Sequence, residues 1–331
     1  MTSGQPPALS ILDLAIVGRN ETPADALANS VTVARRAEER GYRRIWYAEH
    51  HNMASIASSA TSVLIAHVAA HTSTIGLGAG GVMLPNHSPL VIAEQFGTLA
   101  TLHPGRIDLA LGRAPGTDQA TMRAMRTEIR ASERFPEDVL ELQGYLRGET
   151  QVPGVQAIPG AGTNVPLSIL GSSLFGAQLA AMLGLPYGFA SHFAPEHLLN
   201  AVELYRREFR PSEQLAQPYV IAGVNVIAAE TDEDAQRQHR DVSRRRVARF
   251  LSVPRELSDD EADHILASPE GRQIAHMMHY TAAGTPDVVH RYLTNFAQEA
   301  GADELMTVHP SPTIAERLRS IDLLADAFES A

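Results

Sequence analysis

A few short blocks of this chain hold the residue types that do chemistry. They are Asp13, Glu49-His50-His51-Asn52, Gly78 to His87, Gly112-Arg113-Ala114-Pro115-Gly116, Gly171-Ser172-Ser173 and Ser191-His192-Phe193. Histidine titrates near neutrality, so His50 or His51 suits proton handling or hydrogen bonding. Neighbours on an extended segment point opposite ways, so one of the two faces a site and the other packs in a loop. Glu49, His50 and Asp13 supply some metal ligands, but no other cluster completes a set, so no metal is assigned. Gly171-Ser172-Ser173 ahead of a helix offers free N–H groups, hydroxyls and a positive dipole end, all of which suit an anion. An ordinary serine N-cap is the alternative. Arg113 on a neighbouring loop favours the anion, because an arginine beside a helix start suits phosphate. Gly78-Ala79-Gly80-Gly81 lacks the third glycine of a dinucleotide loop. Its glycines allow either close approach to a flat ligand or a β-bulge. The chain has no G-x-S-x-G elbow and no strand-end lysine poised for a Schiff base.

These blocks all follow short apolar runs, and the runs alternate with helical patterns almost from end to end. Leu9 to Leu14, Arg44 to Ala48, Thr74 to Leu77, Ile107 to Leu111, Leu167 to Leu170, Tyr187 to Ala190, Tyr219 to Ala228 and Glu304 to Val308 read as eight strands. Thr22-Pro23-Ala24-Asp25 opens the first helix with a capping pair and a first-turn proline, and Gly41 ends it. Ala60 to Ala70, Ser88-Pro89 to Leu102, Arg130 to Arg147, Leu174 to Leu183, Pro195 to Phe209, Asp232 to Phe250, a helix from Thr285 and Thr313 to Ala327 follow. Gly148 to Asn164 is a Gly- and Pro-rich excursion. Leu251 to Ala283 has no partner strand and reads as an inserted helical lid; its Met277-Met278 pair suits core packing. Eight strand-helix units point to a (β/α)8 barrel in one domain over residues 1–331, with ligands expected at the strand C-termini.

Composition fits this reading. The 331 residues are 44% hydrophobic, with a formal net charge of −11 and no cysteine. That excludes disulfides, thiolate metal sites and cysteine nucleophiles. The charge and the lack of a basic stripe argue against nucleic acid. The one basic cluster, Arg244-Arg245-Arg246 with Arg249, reads as a solvated helix face. No apolar run reaches membrane-spanning length, and Met1 to Ala8 is unlike a secretory signal, so the expected location is the cytoplasm.

In this order, Tyr47-Ala48-Glu49-His50-His51, Gly78 to Pro85, Leu102 to Gly116, Val165 to Gly184 and Ala302 to His309 resemble the bacterial luciferase-like flavin monooxygenases, and most closely their group 1 oxidoreductases. The similarity runs from Leu9 to Phe328. It implies a TIM barrel with FMN at the strand ends and a non-prolyl cis peptide at Gly80-Gly81, before Val82, as a platform behind the flavin. It places Arg113, Ser172, Ser173 and Gly176 around the FMN phosphate and His50 as the active-site histidine; Asp13 at the first strand end, Gly80, Gly81 and Val82 are the other expected cofactor contacts. It implies a homodimer paired through the second and third helices, where Ala66, Ala69, Ala70 and Ala93 would let helices approach. The implied reaction uses reduced FMN, delivered by a separate NAD(P)H-dependent flavin reductase, and O2, through a peroxyflavin, on a small organic substrate. The family's reactive cysteine is Gly112 here, so light emission is not implied. Ile16 to Asn20 departs from the proline-containing first loop of group 1. An F420-dependent hydride-transferring enzyme and a non-catalytic flavin-binding protein are the alternatives.

Overall fold

Parallel strands that alternate with helices must either leave two edges or close on themselves. In the computed structural model of this chain they close. Residues 6–114, 116–128, 130–150, 152–251 and 257–329 are described. Pro115, the Arg249 side chain and residues 252–256 of the expected lid lie outside them. The strands are β1 (Ala8–Asp13), β2 (Arg44–Tyr47), β3 (Gly76–Met83), β4 (Ile107–Gly112), β5 (Leu167–Gly171), β6 (Tyr187–Phe189), β7 (Val220–Ala228), β8 (Thr281–Gly284) and β9 (Glu304–Val308). Strands β1 to β7 follow one another around the barrel, and β9 closes it between β7 and β1, with every pairing parallel. This is the (β/α)8 TIM barrel.

Local chemistry accounts for many of the boundaries. Helix α1 (Pro23–Glu39) starts at a complete capping box, in which Thr22 and Asp25 exchange bonds. Helices α2 (Thr61–Ala69) and α3 (Pro89–Leu102) follow β2 and β3. Short α4 (Gln119–Ala124) is capped by the Asp118 side chain. The helix expected over Arg130–Arg147 is a 3-10 turn, Ala131–Arg134, followed by α5 (Phe135–Arg147). Helices α6 (Leu174–Leu183), α7 (Leu198–Glu208), α8 (Asp232–Phe250), α9 (Asp259–Ala267), α10 (Pro269–His276), α11 (Pro286–Ala300) and α12 (Ile314–Glu329) complete the chain.

Two strands differ from the sequence expectation. β3 does not stop at Leu77 but runs through the glycine block to Met83, with a register shift between Gly80 and Val82. Glycine there serves close packing: a Cβ on Gly80 would lie 2.6 Å from the Trp46 Cβ. The segment 251–283 is not wholly helical, because β8 pairs with Asn225–Ala228 of β7. β7 is nine residues long and β9 five, so β8 provides partners for buried backbone groups at the end of β7. Its Thr-Ala-Ala-Gly sequence carries little β signal.

Two layers fill the barrel. At the strand starts, Arg44 donates to both oxygens of Glu304 at 2.8 and 2.6 Å and to Asp108 at 2.7 Å. Ser10 and Tyr219 also donate to Glu304, and Trp46 Nε1 donates to Asp108. Burial works against both carboxylates. At Glu304 the bonds from Arg44, Ser10 and Tyr219 outweigh it, and the pKa is lowered. At Asp108 burial prevails and the pKa is raised. Above this layer lies a small apolar cluster that includes Leu12, Trp46, Ala110, Ile221 and Met306. Arg44→Met would strand two buried carboxylates and should cost about 3–5 kcal/mol in urea unfolding. Removing half-buried Arg147 from its pair with exposed Glu213 should cost less than about 1 kcal/mol.

Just after β9, His309 is 2% exposed and lies between Ser320 Oγ at 2.8 Å and Thr307 Oγ1 at 3.1 Å. Burial first, and Arg317 second, push its pKa from 6.5 to about 3. The folded state therefore binds fewer protons than the unfolded state between these values. Its contribution is complete above the unfolded value and declines as pH falls toward the folded one. His309→Gln should flatten the loss of stability between about pH 6 and pH 4 by up to roughly 1.4 kcal/mol per pH unit. Urea midpoints measured across that range, with an unchanged slope as the contrary result, check it.

Candidate functional site

The barrel mouth opens because the layer below it is made of small residues. Gly80, Gly112, Gly188 and Gly223 lie along the strands, and with Trp46, Ile221 and Met306 as floor they line a cavity of about 650 Å³. Its walls are strand-end residues: His50 after β2, Arg113 and Ala114 after β4, Gly171 to Ser173 after β5, and His192 and Phe193 after β6. The Gly80-Gly81 peptide is cis.

One side of this cavity carries groups that could hold an anion. Helix α6 starts here, and no side chain caps its first N–H groups. These donors and the helix dipole favour a negative charge. Among the described residues the Ser172 and Ser173 hydroxyls have no hydrogen-bond partner, while the Ser173 carbonyl accepts from Tyr187 at 3.0 Å, which fixes the turn. The Arg113 guanidinium lies 4.0 Å from the centre of the Phe175 ring, in the first turn of α6. This stacking orients a side chain that pairs with no carboxylate among the described residues. Gly176 is buried, and a Cβ there would be 3.4 Å from the Tyr187 ring. Arg113, Ser172, Ser173 and Gly176 therefore line one side of the same cavity.

The histidine pair divides. His50 lines the cavity, whereas His51 donates to Glu49 Oε1 at 2.8 Å. Glu49 also accepts from His87 at 2.8 Å and from the Met83 N–H at 3.0 Å. Burial alone would raise its pKa, but these bonds lower it. Glu49 thus joins the loops after β2 and β3 beneath His50.

Three expected cofactor residues are placed elsewhere. Asp13 is fully buried, accepts from Ser30 at 2.7 Å and the Ala15 N–H at 2.9 Å, and pairs with Arg317 at 3.1 Å. These partners hold it off the cavity wall. Val82 is 1% exposed and belongs to the main core, because the shift after Gly80 turns it outward. Gly81 packs against β4, where a Cβ would be 2.6 Å from the Ala110 carbonyl oxygen. Of Gly80, Gly81 and Val82, only Gly80 lines the cavity.

His192 was visible in the sequence as part of a strand-end block but carried no pattern that singled it out. Its Nδ1 is buried with no hydrogen-bond partner among the described residues, and a Cβ on Gly223 would meet it. Burial, followed by the charges of Arg246 and His50, lowers its pKa to about 3, so it is neutral. The Asn225 side chain fixes the loop by donating to the His192 carbonyl at 2.8 Å.

A second compartment of about 320 Å³ shares Leu14, His50, His192 and Phe193 with the first. Arg245, Arg246 and Phe250 of α8, Met277, and the loop after β9 complete it. The basic cluster is therefore not one solvated face. Arg244 pairs with Asp259 and Asp263 of α9, fastening α9 to α8, while Arg245 and Arg246 reach the compartment. The methionine pair also divides, with Met278 in an apolar cluster and Met277 on the compartment wall. No helix among the described residues is long and apolar enough to cross a membrane.

Known proteins share this architecture and much of the sequence. The pattern of the luciferase-like monooxygenase family matches residues 10–304. The chain is 45% identical to a luciferase-like monooxygenase of Escherichia coli K12, over 97% of both chains. It is 34% identical to the N-acetyl-S-alkylcysteine monooxygenase of Bacillus subtilis 168, over 98% of both. The crystal structure of apo-MsnO8 superposes with a TM-score of 0.90 at 36% identity, over 98% of this chain and 99% of the other. Barrels at 15% and 16% identity, each with a TM-score of 0.71, share the fold alone. They are a diketocamphane monooxygenase component in complex with FMN, covering 97% of both chains, and an F420-dependent secondary alcohol dehydrogenase, covering 98% of both. The chain belongs to the luciferase-like monooxygenase family.

Proposed function

We propose that the chain is an FMN-dependent monooxygenase of the cytoplasm that acts on a small organic substrate with reduced FMN and O2. A separate NAD(P)H-dependent reductase would supply the reduced flavin. The observation that carries this reading is the anion cradle of Arg113 and the α6 start, which opens into the same cavity as Gly80 and His50. The residues fit FMN: the cradle suits its phosphate, and the missing Cβ at Gly80 leaves a flat wall against which a ring can lie.

FMN, when bound, supplies the activation of O2. The protein binds, orients and excludes water. Arg113 and the N–H groups of α6 hold the phosphate. His50 holds or moves a proton at the cavity wall. His192, kept neutral, adds an imidazole without a second positive charge. The helical pair α9–α10 serves as a lid, fastened through Arg244.

Trp46 is the only tryptophan and lines the cavity, so its fluorescence reports binding. FMN should quench it more strongly than F420, and the loaded protein should consume O2 only when a substrate is present. Preference for F420, or flavin binding without turnover over a panel of organic substrates, would replace this reading. Arg113→Ala should raise the FMN dissociation constant about tenfold or more and leave riboflavin, which lacks the phosphate, nearly unaffected. Equal weakening of both would remove Arg113 from the phosphate site.

A homodimer through α2 and α3 belongs to the same proposal, without two of the four alanines that the sequence suggested. Ala69 and Ala93 are spent on the chain's own core, at 2% and 0% exposure. The same helices expose Val63, Val91 and Leu102, which offer apolar area to a second copy. Light scattering should find a dimer at micromolar concentration and a monomer for Val63→Glu.

A further inference from the structure

The compartment beside the flavin cavity has walls of two kinds. Met53, Ile56, Val242 and Ile314 make it apolar. Its charged groups are mostly engaged: Arg317 is paired with Asp13, and the two Glu21 oxygens accept from the Gly18 N–H at 2.9 Å and from Asn29 at 3.2 Å.

Arg245 differs. Its guanidinium carries five donors in a planar fork. One of these, Nη1, donates to the Pro312 carbonyl at 2.9 Å, and among the described residues it has no carboxylate partner. The carbonyl anchors the fork to the loop after β9 and leaves the remaining donors for a ligand. In the same loop the Ser311 hydroxyl oxygen is buried with no hydrogen-bond partner among the described residues. A buried polar group of that kind calls for one. The histidines do not compete for this role, because burial lowers the pKa of both His192 and His309 and leaves them uncharged.

We propose that this compartment seats the organic substrate, and that Arg245 with Ser311 holds an anionic head group. The substrate class is then an apolar carboxylate or a similarly charged amphiphile, not a neutral aldehyde or ketone. Its apolar body lies against the walls, and its other end reaches the flavin cavity between His50 and His192, which line both spaces. This assignment rests on the flavin reading of the larger cavity.

The probes are 3-phenylpropionate and its neutral amide, measured by calorimetry on the FMN-saturated protein and on the flavin-free protein. The acid should bind about tenfold more tightly than the amide. Arg245→Gln should erase that preference and leave FMN affinity unchanged, Arg245→Lys should keep part of it, and Ser311→Ala should reduce it. No measurable preference for the acid, or a preference that survives Arg245→Gln, overturns the proposal. So does loss of the preference in Arg113→Ala, which would put the head group in the phosphate cradle. If FMN does not bind but the acid preference remains and follows Arg245, the flavin reading fails and the anion subsite stands.

Discussion

The bond between Arg44 and Glu304 is the constraint on which the barrel depends. Arg44 begins β2 and Glu304 begins β9, and β1 lies between them. A bidentate arginine–carboxylate pair has a fixed plane and reach, so it sets how far these strands can slide past one another. Asp108 extends the constraint to β4 and, through Trp46 Nε1, fixes the indole ring inside the barrel. A buried ion pair is weak evidence for net stability, because desolvation offsets much of its attraction. Here it also sets geometry: it stabilises one strand register and one orientation of the indole, and both place the floor of the site.

The site above this floor follows from volume. Trp46 occupies the middle of the barrel, so its neighbours must be small, and Gly80 on β3 and Gly188 on β6 meet that requirement. Above the indole the strand-end residues stay small, and the barrel stays open. The residues that allow Trp46 to pack are thus the ones that leave room for a flat ligand. Functional groups then need only stand at the rim. Two are braced from another element: Arg113 by Phe175, and the His192 loop by Asn225.

Most of the fold was legible in the sequence because strand-helix alternation is a local signal. The Thr22 cap, the ends of β4 and β5, and the Ser172-Ser173 helix start depend on residues close in sequence. What escaped depends on partners far away. Asp13 looked like a rim residue because it ends the first strand, but its partners are Ser30 and Arg317, the latter more than 300 positions distant. β8 exists because β7 is long, and nothing within Thr281–Gly284 announces it. The glycine block was read as following β3 because glycine disfavours strands, while the close approach of Trp46 on the adjacent strand β2 requires it. The arginine run on α8 resembled a solvated face because periodicity cannot distinguish water from a cavity. Only the loop after β9 gives Arg245 an address.

Charge completes the account. The chain carries 38 acidic and 27 basic side chains, so an anionic ligand is repelled at long range. Within about one Debye length, roughly 8–10 Å, nearby charges outweigh the total. At the barrel base and between helices, arginines such as Arg44, Arg244 and Arg317 are held by carboxylates. At the mouth, Arg113 is held instead by an aromatic ring and Arg245 by a backbone carbonyl. Neither partner carries a negative charge, so each guanidinium is positioned without being neutralised. An arginine oriented by a neutral group lowers the entropic cost of binding an anion and keeps its full field for it. Arg113 therefore presents an oriented positive charge to the flavin cavity, and Arg245 one to its neighbour.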